Sequence, residues 1–270
     1  MKNLNKSICF DIDNVICKTV KSNYIKSKPI KKNIKFINHL YDQGHTIKIF
    51  TARYMGRTGD NVAEAKKKAK KITKSKQFYL QYISEENNLL KNIDFNELDK
   101  IIKTIKKCIK NNNIIYTCGN GGSSSLADHF TCDFIKQTNN KTNLKVKSIS
   151  LASNFSLISA IANDISFDEI FSFQVEKLCK KNDILFLFSV SGNSKNLINA
   201  VKKAKTKNVK TISFTGFNGG KLSKIADFNI NFPMANYGIV EDCHISMMHY
   251  LSQFLRNTKI KSKNYKKINF

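Results

Sequence analysis

Several features that mark other protein classes are scarce or missing in this chain. Only two prolines occur in the 270 residues, so no proline-rich linker marks a domain boundary. No uninterrupted apolar run approaches the roughly 20 residues that a transmembrane helix needs. The first residues, MKNLNKSICFDID, lack the apolar core and cleavage site of a secretory signal. The seven cysteines are odd in number and include no C-x-x-C pair. These absences predict a cytoplasmic protein with no membrane partner.

Arginine is also rare, because Arg53, Arg57 and Arg256 are the only three in a chain whose formal net charge is +26. Almost all of the positive charge is therefore lysine, which is spread widely except in residues 65–71 and 259–267. Surfaces that bind nucleic acid gather basic residues on one face. We interpret these lysines as solvated faces and a basic tail, and predict no nucleic-acid partner. The alternative is a weak, salt-sensitive attraction to anionic polymers or membrane surfaces.

The first segment of the chain, to about residue 78, alternates short apolar stretches with helical ones. Residues 7–12 and 45–52 have the composition of strands. Between them, apolar residues recur at helical spacing from 30 to 41, and residues 61–71 have the pattern of a polar helix. A β-α-β-α alternation of this kind usually builds a parallel sheet.

The second segment starts near residue 79 and continues the alternation over a longer stretch. Its run DILFLFS, residues 183–189, is apolar without alternation, as expected of a strand covered on both faces. We therefore predict an α/β fold with a doubly wound, Rossmann-like parallel sheet, whose ligands bind beyond the carboxyl ends of the strands. The predicted domains are 1–78, 79–258 and a basic tail, 259–270. The other predicted strands are 114–118, 146–152, 209–216 and 228–233, and the predicted helices are 79–90, 96–110, 124–136, 154–162, 167–179, 197–206 and 241–254.

Three loops that follow predicted elements carry side chains suited to a phosphorylated ligand. NGGSSS at 120–125 follows a strand and precedes a helix, and SVSGNS at 189–194 repeats this arrangement. Glycines let the backbone turn tightly, serines add hydroxyl donors, and the helix that follows directs its positive end at the loop. Two such loops in one sheet predict a phosphate site. In the third loop, at 161–171, Asn163 and Asp164 can bond sugar hydroxyls, unless Asp164 starts a turn or caps a helix.

Two predicted helices carry ionisable side chains at spacings that place them on shared faces. His129 and Asp133 lie four residues apart on one helix. Glu241 and His249 lie eight residues apart on the last helix, near one face. Two histidines and two carboxylates can form a tetrahedral zinc site. The alternative is that each is an ordinary surface or buried structural residue.

Five motifs, in their order and spacing, resemble those of sugar isomerase (SIS) domains of the phosphoheptose isomerase type: CGNGGSSSLADHF, IANDISFDEIF, SVSGNS, FTGFNGGKL and GIVEDCHISMMH. The resemblance covers roughly residues 79–256. It implies an enzyme that converts sedoheptulose 7-phosphate into D-glycero-D-manno-heptose 7-phosphate, a precursor of heptose for lipopolysaccharide, capsule or surface-layer glycans. It also implies one Zn²⁺ per subunit, and a homotetramer with active sites at subunit contacts.

The same resemblance assigns roles to individual residues. His129, Asp133, Glu241 and His249 fall at its metal positions. Asp133 stands where a glutamate is usual, and Glu241 where a glutamine is usual. Both keep an oxygen ligand, but Asp133 is one methylene shorter, which leaves the substrate and the rate open. The substrate-binding positions are Asn120, Gly121, Gly122, Asp133, Asn163, Asp164, Ser189, Val190, Ser191, Ser194 and Glu241.

The implied reaction has definite chemical requirements. An aldose–ketose isomerisation moves a proton between adjacent carbons through an enediol, so it needs a base, an acid and a positive centre near the developing oxyanion. Zinc can supply the positive centre. We assign the acid/base pair to Asp133 and His249. A neutral histidine could also alternate between ligand and acid, and the sequence does not decide between these roles.

The first segment resembles the start of a haloacid dehalogenase-like (HAD-like) phosphatase, through FDIDNVIC at 10–17 and FTAR at 50–53. The resemblance implies Asp11 as nucleophile, Asp13 as acid/base and Thr51 on the phosphate. Mg²⁺ would be a second cofactor only if this segment is active. The lysine motif and distal acidic pair of that family are missing. We therefore expect a truncated remnant or assembly appendage, whose exposed strand edge a partner covers.

Two alternatives to a simple isomerase stay open. One is a sugar-phosphate-binding regulator or assembly protein without turnover, because a fold alone does not determine function. The other is a bifunctional isomerase–phosphatase, which would release phosphate with Mg²⁺ and lose that activity in Asp11→Asn.

Overall fold

The computed structural model describes residues 7–11, 17–18, 28–42, 46–50 and 73–260. The chain divides into two compact units, Met1–Tyr79 and Leu80–Phe270. The predicted domain boundaries after residues 78 and 258 stay predictions. Other predictions lie outside the described residues: those for Asp13 and Thr51, the polar helix at 61–71 and most of the basic tail.

The first unit contains a small parallel sheet. Strands β1 and β4 pair in parallel, with Asp11 opposite Phe50, so the predicted parallel pairing of the first segment is confirmed. Strands β2 and β3 form a short antiparallel pair that the sequence pattern did not predict. The resemblance to a HAD-like phosphatase stays a prediction. The described elements are β1 (Ser7–Asp11), β2 (Cys17–Lys18), β3 (Lys28–Pro29), α1 (Lys31–Asp42) and β4 (Thr46–Phe50).

The second unit is built around a five-stranded parallel sheet with helices on both faces, so the predicted doubly wound α/β fold is confirmed. Its strands are β5 (Ile114–Gly119), β6 (Lys147–Ser150), β7 (Ile184–Ser189), β8 (Lys210–Gly216) and β9 (Phe228–Phe232), in the order β6-β5-β7-β8-β9. Helix α2 (Lys74–Lys91) begins before the boundary at residue 80, and the helices that lie wholly in the second unit are α3 (Phe95–Lys110), α4 (Gly122–Lys136), α5 (Phe155–Asp164), α6 (Ser172–Leu178), α7 (Lys195–Thr206), α8 (Leu222–Ile225) and α9 (Tyr237–Asn257).

The central strand β7 separates two hydrophobic cores, because alternate side chains of a strand point to opposite faces. Phe186 and Phe188 belong to the core formed with α3, α4 and α9, where Phe130 stacks on Phe134. Leu185 and Leu187 belong to the core formed with α6 and α7. All six residues of β7 are buried, as the continuous apolar run predicted. Each large apolar side chain buried in this way contributes roughly 1.5–3 kcal/mol to stability.

The predicted helix over 167–179 is wrong in its continuity. The structure has a short 3₁₀ turn, Phe167–Glu169, followed after a break by α6. The Ser166 hydroxyl accepts a hydrogen bond from the Asp168 N–H and so caps the 3₁₀ turn. A serine that bonds nearby backbone in this way favours a turn over a continuing helix.

Two crossover connections that run in opposite directions determine where on the sheet edge a ligand can bind. After β5 the chain passes to β6 on one side, and it then returns to β7 on the other side of β5. The loops after β5 and β7 therefore diverge, and a crevice opens between them, as at the switch point of other doubly wound sheets. Within the described part of the chain, every helix is too short or too polar to cross a membrane.

Candidate active site

The first of the two loops predicted to bind phosphate, residues 120–125, leads directly from β5 into α4. Gly119 has no room for a side chain, because an added Cβ would overlap the Ser123 carbonyl oxygen. Gly121 has φ +54°, which glycine adopts without strain. The Ser124 hydroxyl donates to the Gly121 carbonyl at 2.7 Å and stabilises the turn. The backbone therefore turns tightly enough to aim the positive end of α4 at the space above the sheet.

The second loop leads from β7 into α7 and has a similar construction. Gly192 has φ +63°, and its N–H donates to the Ser189 hydroxyl at 3.2 Å. Ser194 is the residue before α7, and within the described structure its hydroxyl makes no capping bond to that helix. This hydroxyl is therefore available to a ligand, next to the free N–H groups of the α7 N-terminus.

A cavity of about 280 Å³ lies between the two loops. Eight of the predicted substrate-binding residues line it, so the structure brings the two loops to one site. Ser123, Phe188, Leu197 and Tyr237 also line the cavity, and none of them was predicted. Ser123 lay within the predicted loop, whereas Tyr237 came from a helix whose start was predicted four residues too late. The eight predicted residues are Asn120, Gly121, Gly122, Ser189, Val190, Ser191, Ser194 and Glu241.

The third predicted loop lies elsewhere in this chain. Asn163 and Asp164 end helix α5 and are exposed, and the Asn163 amide donates to the Asp164 carboxylate at 2.8 Å. Among the described residues, neither one lines the cavity between the first two loops. A single copy of the described chain therefore does not bring these side chains to that cavity.

A histidine–aspartate–histidine group joins helices α4 and α9. The Asp133 carboxylate lies 3.6 Å from His129 Nε2 through one oxygen and 3.4 Å from His249 Nε2 through the other. The two Nε2 atoms are 3.5 Å apart. Asp133 is 1% exposed, whereas the side chains of His129 and His249 are 47% and 36% exposed. Three of the four predicted metal ligands are thus brought together at the surface of the second unit.

The donor atoms of this group fit a metal ion. Asp133 Oδ1 accepts from the Gln137 amide at 2.6 Å, but within the described residues the buried Oδ2 has no hydrogen-bond donor. A buried carboxylate oxygen without a donor is costly unless a cation compensates it. Tetrahedral zinc ligands bound at about 2.0–2.1 Å lie roughly 3.3–3.4 Å from one another. The separation between His249 Nε2 and Asp133 Oδ2, 3.4 Å, and that between the two Nε2 atoms, 3.5 Å, are close to that value, and one donor atom from each of the three residues lies within 4.8 Å of the others.

Glu241, the fourth predicted ligand, is outside this group, which has three members among the described residues. Its carboxylate instead lies against the first loop, where a Cβ added to Gly122 would be 2.7 Å from Glu241 Oε1. Burial and the negative charge of Asp242 raise the pKa of Glu241. Of the two roles predicted for Glu241, the cavity-lining one matches its position in this structure.

His244, which lies three residues after Glu241, belongs to the apolar core. It is fully buried, with the rings of Phe188, Phe214 and Phe232 about 5.5–6.2 Å from its own. Burial lowers the pKa of His244 to about 4, so its ring is neutral at pH 7. This histidine therefore packs behind the cavity.

The FNGG motif supports the second loop from behind, a role that sequence reasoning did not assign to it. The Leu222 N–H donates to the Gly192 carbonyl at 2.9 Å, and the Lys221 N–H donates to the Asn193 side chain at 3.1 Å. A Cβ added to Gly220 would lie 2.5 Å from the Ser191 carbonyl oxygen. Adjacent glycines were the available signal, because two backbones pack this closely only without side chains.

Comparison with known proteins agrees with this architecture. The SIS domain family model matches residues 81–216. The phosphoheptose isomerase of Aliarcobacter butzleri is 35% identical over 180 residues, which are 66% of this chain and 94% of that protein. The chain belongs to the phosphoheptose isomerase family. A solved phosphoheptose isomerase from Neisseria gonorrhoeae is 29% identical, with a TM-score of 0.61 over 67% of this chain and 96% of that one.

Membership of this family tests two of the predictions made from the sequence. The resemblance to SIS domains of the phosphoheptose isomerase type is confirmed, and with it the prediction that the protein is an isomerase. A probable phosphoheptose isomerase of Thermoplasma acidophilum, 36% identical over 175 residues, covers 63% of this chain and 93% of its own length. The residues that the family model matches lie in the second unit.

Proposed function

We propose that this member of the phosphoheptose isomerase family converts sedoheptulose 7-phosphate into D-glycero-D-manno-heptose 7-phosphate. The observation that carries the proposal is the joint presence, on α4 and α9, of a phosphate-type cavity and the histidine–aspartate–histidine group. The named relatives support the choice of substrate.

The cavity is suited to hold the phosphate of the substrate. Helices α4 and α7 both begin at its wall, and each N-terminus directs backbone N–H groups and a partial positive charge toward it. The hydroxyls of Ser191 and Ser194 line the same cavity. Together these groups anchor one end of the substrate, so that its other end is held near the reacting groups.

The spacing along the helices supports an extended sugar. Gly122 lines the cavity and His129 lies seven residues further along α4, a distance of about 10 Å along the helix axis. By ordinary covalent geometry, a seven-carbon chain with its phosphate spans about 9 Å when extended, and a three-carbon one about half of that. A long sugar phosphate therefore matches this separation better than a triose phosphate.

The acid/base chemistry falls to His249 and Asp133. The His249 side chain is partly exposed and can reach a bound sugar, whereas Asp133 is almost fully buried. We assign His249 to move the proton between the two carbons. Asp133, with one oxygen 3.4 Å from His249 Nε2, is the second member of the pair. Because a nitrogen lone pair that holds a metal ion cannot also take up a proton, His249 would alternate between its ligand and its acid/base role.

The proposed cofactor is one Zn²⁺ per subunit, held by His129, Asp133 and His249. Three protein ligands with one open position are typical of catalytic zinc sites. When bound, the ion supplies positive charge beside the oxygen that becomes negative in the enediol step. Glu241 is assigned to the substrate cavity, where its carboxylate lies against Gly122.

A homotetramer is the proposed assembly. Phe155, Ile165 and Phe167 are large apolar side chains that are more than half exposed near Asn163 and Asp164. A second copy covering this patch would remove apolar surface from water. It would also allow Asn163 and Asp164 to contribute to the substrate site of a neighbouring subunit.

The remaining proposals concern the enzyme's compartment, the use of its product and the first unit. We propose that the enzyme acts in the cytoplasm and supplies heptose for lipopolysaccharide, capsule or surface-layer glycans. The first unit is proposed to be a truncated HAD-like segment, with Asp11 at the end of β1 as the residue to test for Mg²⁺-dependent phosphatase activity.

The proposed reaction is tested by offering ketose phosphates of three to seven carbons and following aldose formation by NMR in D₂O. We expect sedoheptulose 7-phosphate to be turned over fastest, with solvent deuterium entering the carbon next to the carbonyl. Comparable turnover of a triose phosphate would contradict the proposed substrate. Saturable binding of sedoheptulose 7-phosphate without turnover would contradict the enzyme and favour a sugar-phosphate-binding regulator.

A further inference from the structure

Asn196 is a buried polar side chain that the proposed mechanism does not use. It is the second residue of α7 and is 2% exposed. Among the described residues it is absent from the cavity lining, but its neighbour across the sheet edge, Asn120, lines the cavity. Asn196 is therefore separated from the cavity only by the side chain of Asn120.

The two asparagines form a reciprocal pair of hydrogen bonds. The Asn120 amide nitrogen donates to Asn196 Oδ1 at 2.9 Å, and the Asn196 amide nitrogen donates to Asn120 Oδ1 at 2.9 Å. The pair links the loop after β5 to the start of the helix after β7. It thus joins the two phosphate-type loops, which are 76 residues apart in sequence.

A backbone group determines the direction of both amides. The Leu197 N–H donates to Asn196 Oδ1 at 2.9 Å, so an oxygen must occupy that position. The Asn196 nitrogen must then face Asn120, which in turn must present its oxygen there. Each amide has two donor hydrogens and two lone pairs, so Asn120 keeps one N–H and one lone pair that point away from Asn196.

We infer that Asn196 is a positioning residue for substrate binding, which sets the orientation of the Asn120 amide and holds the two loops in register. The inference rests on the proposed function of the cavity as the site of a sugar phosphate. Asn120 then offers a pre-oriented N–H to a phosphate or hydroxyl oxygen of the ligand. Pre-orientation raises affinity because the ligand does not have to order the side chain on binding.

The test compares Asn196→Ala, Asn196→Asp, Asn120→Ala and the double variant Asn120→Ala/Asn196→Ala. We expect the KM for sedoheptulose 7-phosphate to rise about tenfold in each alanine variant, the effect of one good hydrogen bond to a charged ligand, with kcat changed less than about threefold. Asn196→Asp keeps the size and the acceptor for Leu197, but it removes the donor to Asn120 and adds negative charge. Its KM should therefore rise more than that of Asn196→Ala.

The double variant and a control separate positioning from simple packing. Because the two amides act as one unit, the double variant should be no worse than Asn120→Ala alone. Asn199 lies one turn further along α7, and its amide bonds the Asp168 carbonyl and Glu169, away from the cavity. Asn199→Ala should lower the melting temperature about as much as Asn196→Ala does, without changing KM. An unchanged KM in Asn196→Ala, or a smaller effect of Asp than of Ala, would overturn the inference.

Binding of inorganic phosphate and of sedoheptulose 7-phosphate, measured by calorimetry, distinguishes failure of the inference from failure of the proposed function. If the wild-type protein binds either ligand without isomerising the sugar, the proposed reaction is wrong, and the affinities of the variants still decide the role of Asn196. If the wild-type protein binds neither ligand, both the proposed function and the inference are overturned.

Discussion

His129 and His249 place their Nε2 atoms 3.5 Å apart, although they are separated by 120 residues in the sequence. Their rings meet edge to face at 76°, with Asp133 beside both nitrogens. Each histidine comes from a long helix that packs on the same hydrophobic core, so the fold itself brings the donors together.

Removal of His129 should weaken metal binding while the fold is retained. The side chain is about half exposed, so its loss leaves no cavity in the core. We expect His129→Ala to lower Zn²⁺ affinity at least about tenfold, since changes even to residues behind a metal ligand have that effect. The measurement is competition with a chelator of known affinity. His39→Ala, which alters an exposed histidine of α1, is the control and should bind zinc as the wild type does.

Asp133→Asn should separate stability from function. The variant removes a buried charge whose Oδ2 lacks a donor in the described structure. The free energy of unfolding of the metal-free variant should therefore be about 1 kcal/mol higher than that of the metal-free wild type. Added Zn²⁺ should raise the melting temperature of the wild type but much less that of the variant. Chemical denaturation with and without Zn²⁺ gives both quantities. Equal stabilisation of the two proteins by Zn²⁺ would show that Asp133 is not a ligand.

His244 should make the protein less stable in acid. Its pKa is about 4 in the folded chain and about 6.5 when unfolded, so between these values the unfolded chain binds more protons. Its contribution to stability is fully present above about pH 6.5 and is lost as the pH falls to about 4, a loss of about 3 kcal/mol. His244→Phe removes the titrating group and should flatten the stability profile over this range. An identical acid slope in both proteins would refute this explanation.

Gly192→Ala should damage the second loop more than Gly121→Ala damages the first. Both glycines have positive φ, so both substitutions cost roughly 1 kcal/mol or more in backbone strain. An added Cβ meets nothing within 4 Å at Gly121, but at Gly192 it overlaps the Gly219 carbonyl oxygen. We expect Gly192→Ala to lose about 1–3 kcal/mol more stability, as in overpacked cores. Equal losses, measured by urea denaturation, would mean that the FNGG motif does not brace this loop.

The fold was largely predictable because its signals are local. The continuous apolar run of β7 required cover on both faces, and helices α6 and α7 supply one layer of it while α3, α4 and α9 supply the other. The two glycine-rich loops were visible because tight turns after strands need glycine. The four-residue spacing of His129 and Asp133 likewise implied a shared helical face.

The remaining features depend on contacts between distant segments. Whether α4 and α9 converge cannot be derived from either helix alone, and Glu241 points to the first loop although its spacing from His249 suited a shared site. The Asn120–Asn196 pair is also invisible in the sequence, because asparagine in these loops has the same local signal as an ordinary turn residue. In the proposed tetramer, the role of Asn163 and Asp164 would depend on a neighbouring subunit as well as on the fold.

The central claim is that His129, Asp133 and His249 hold one divalent ion that the isomerase reaction requires. The most direct measurement is the turnover of sedoheptulose 7-phosphate, with zinc content determined on the same samples, for wild type, chelator-treated wild type and His249→Ala. We predict about one zinc per chain with turnover in the wild type, loss of turnover on chelation with recovery when Zn²⁺ is added, and neither stoichiometric zinc nor turnover in His249→Ala. Full turnover by zinc-free protein, or by His249→Ala, would contradict the claim.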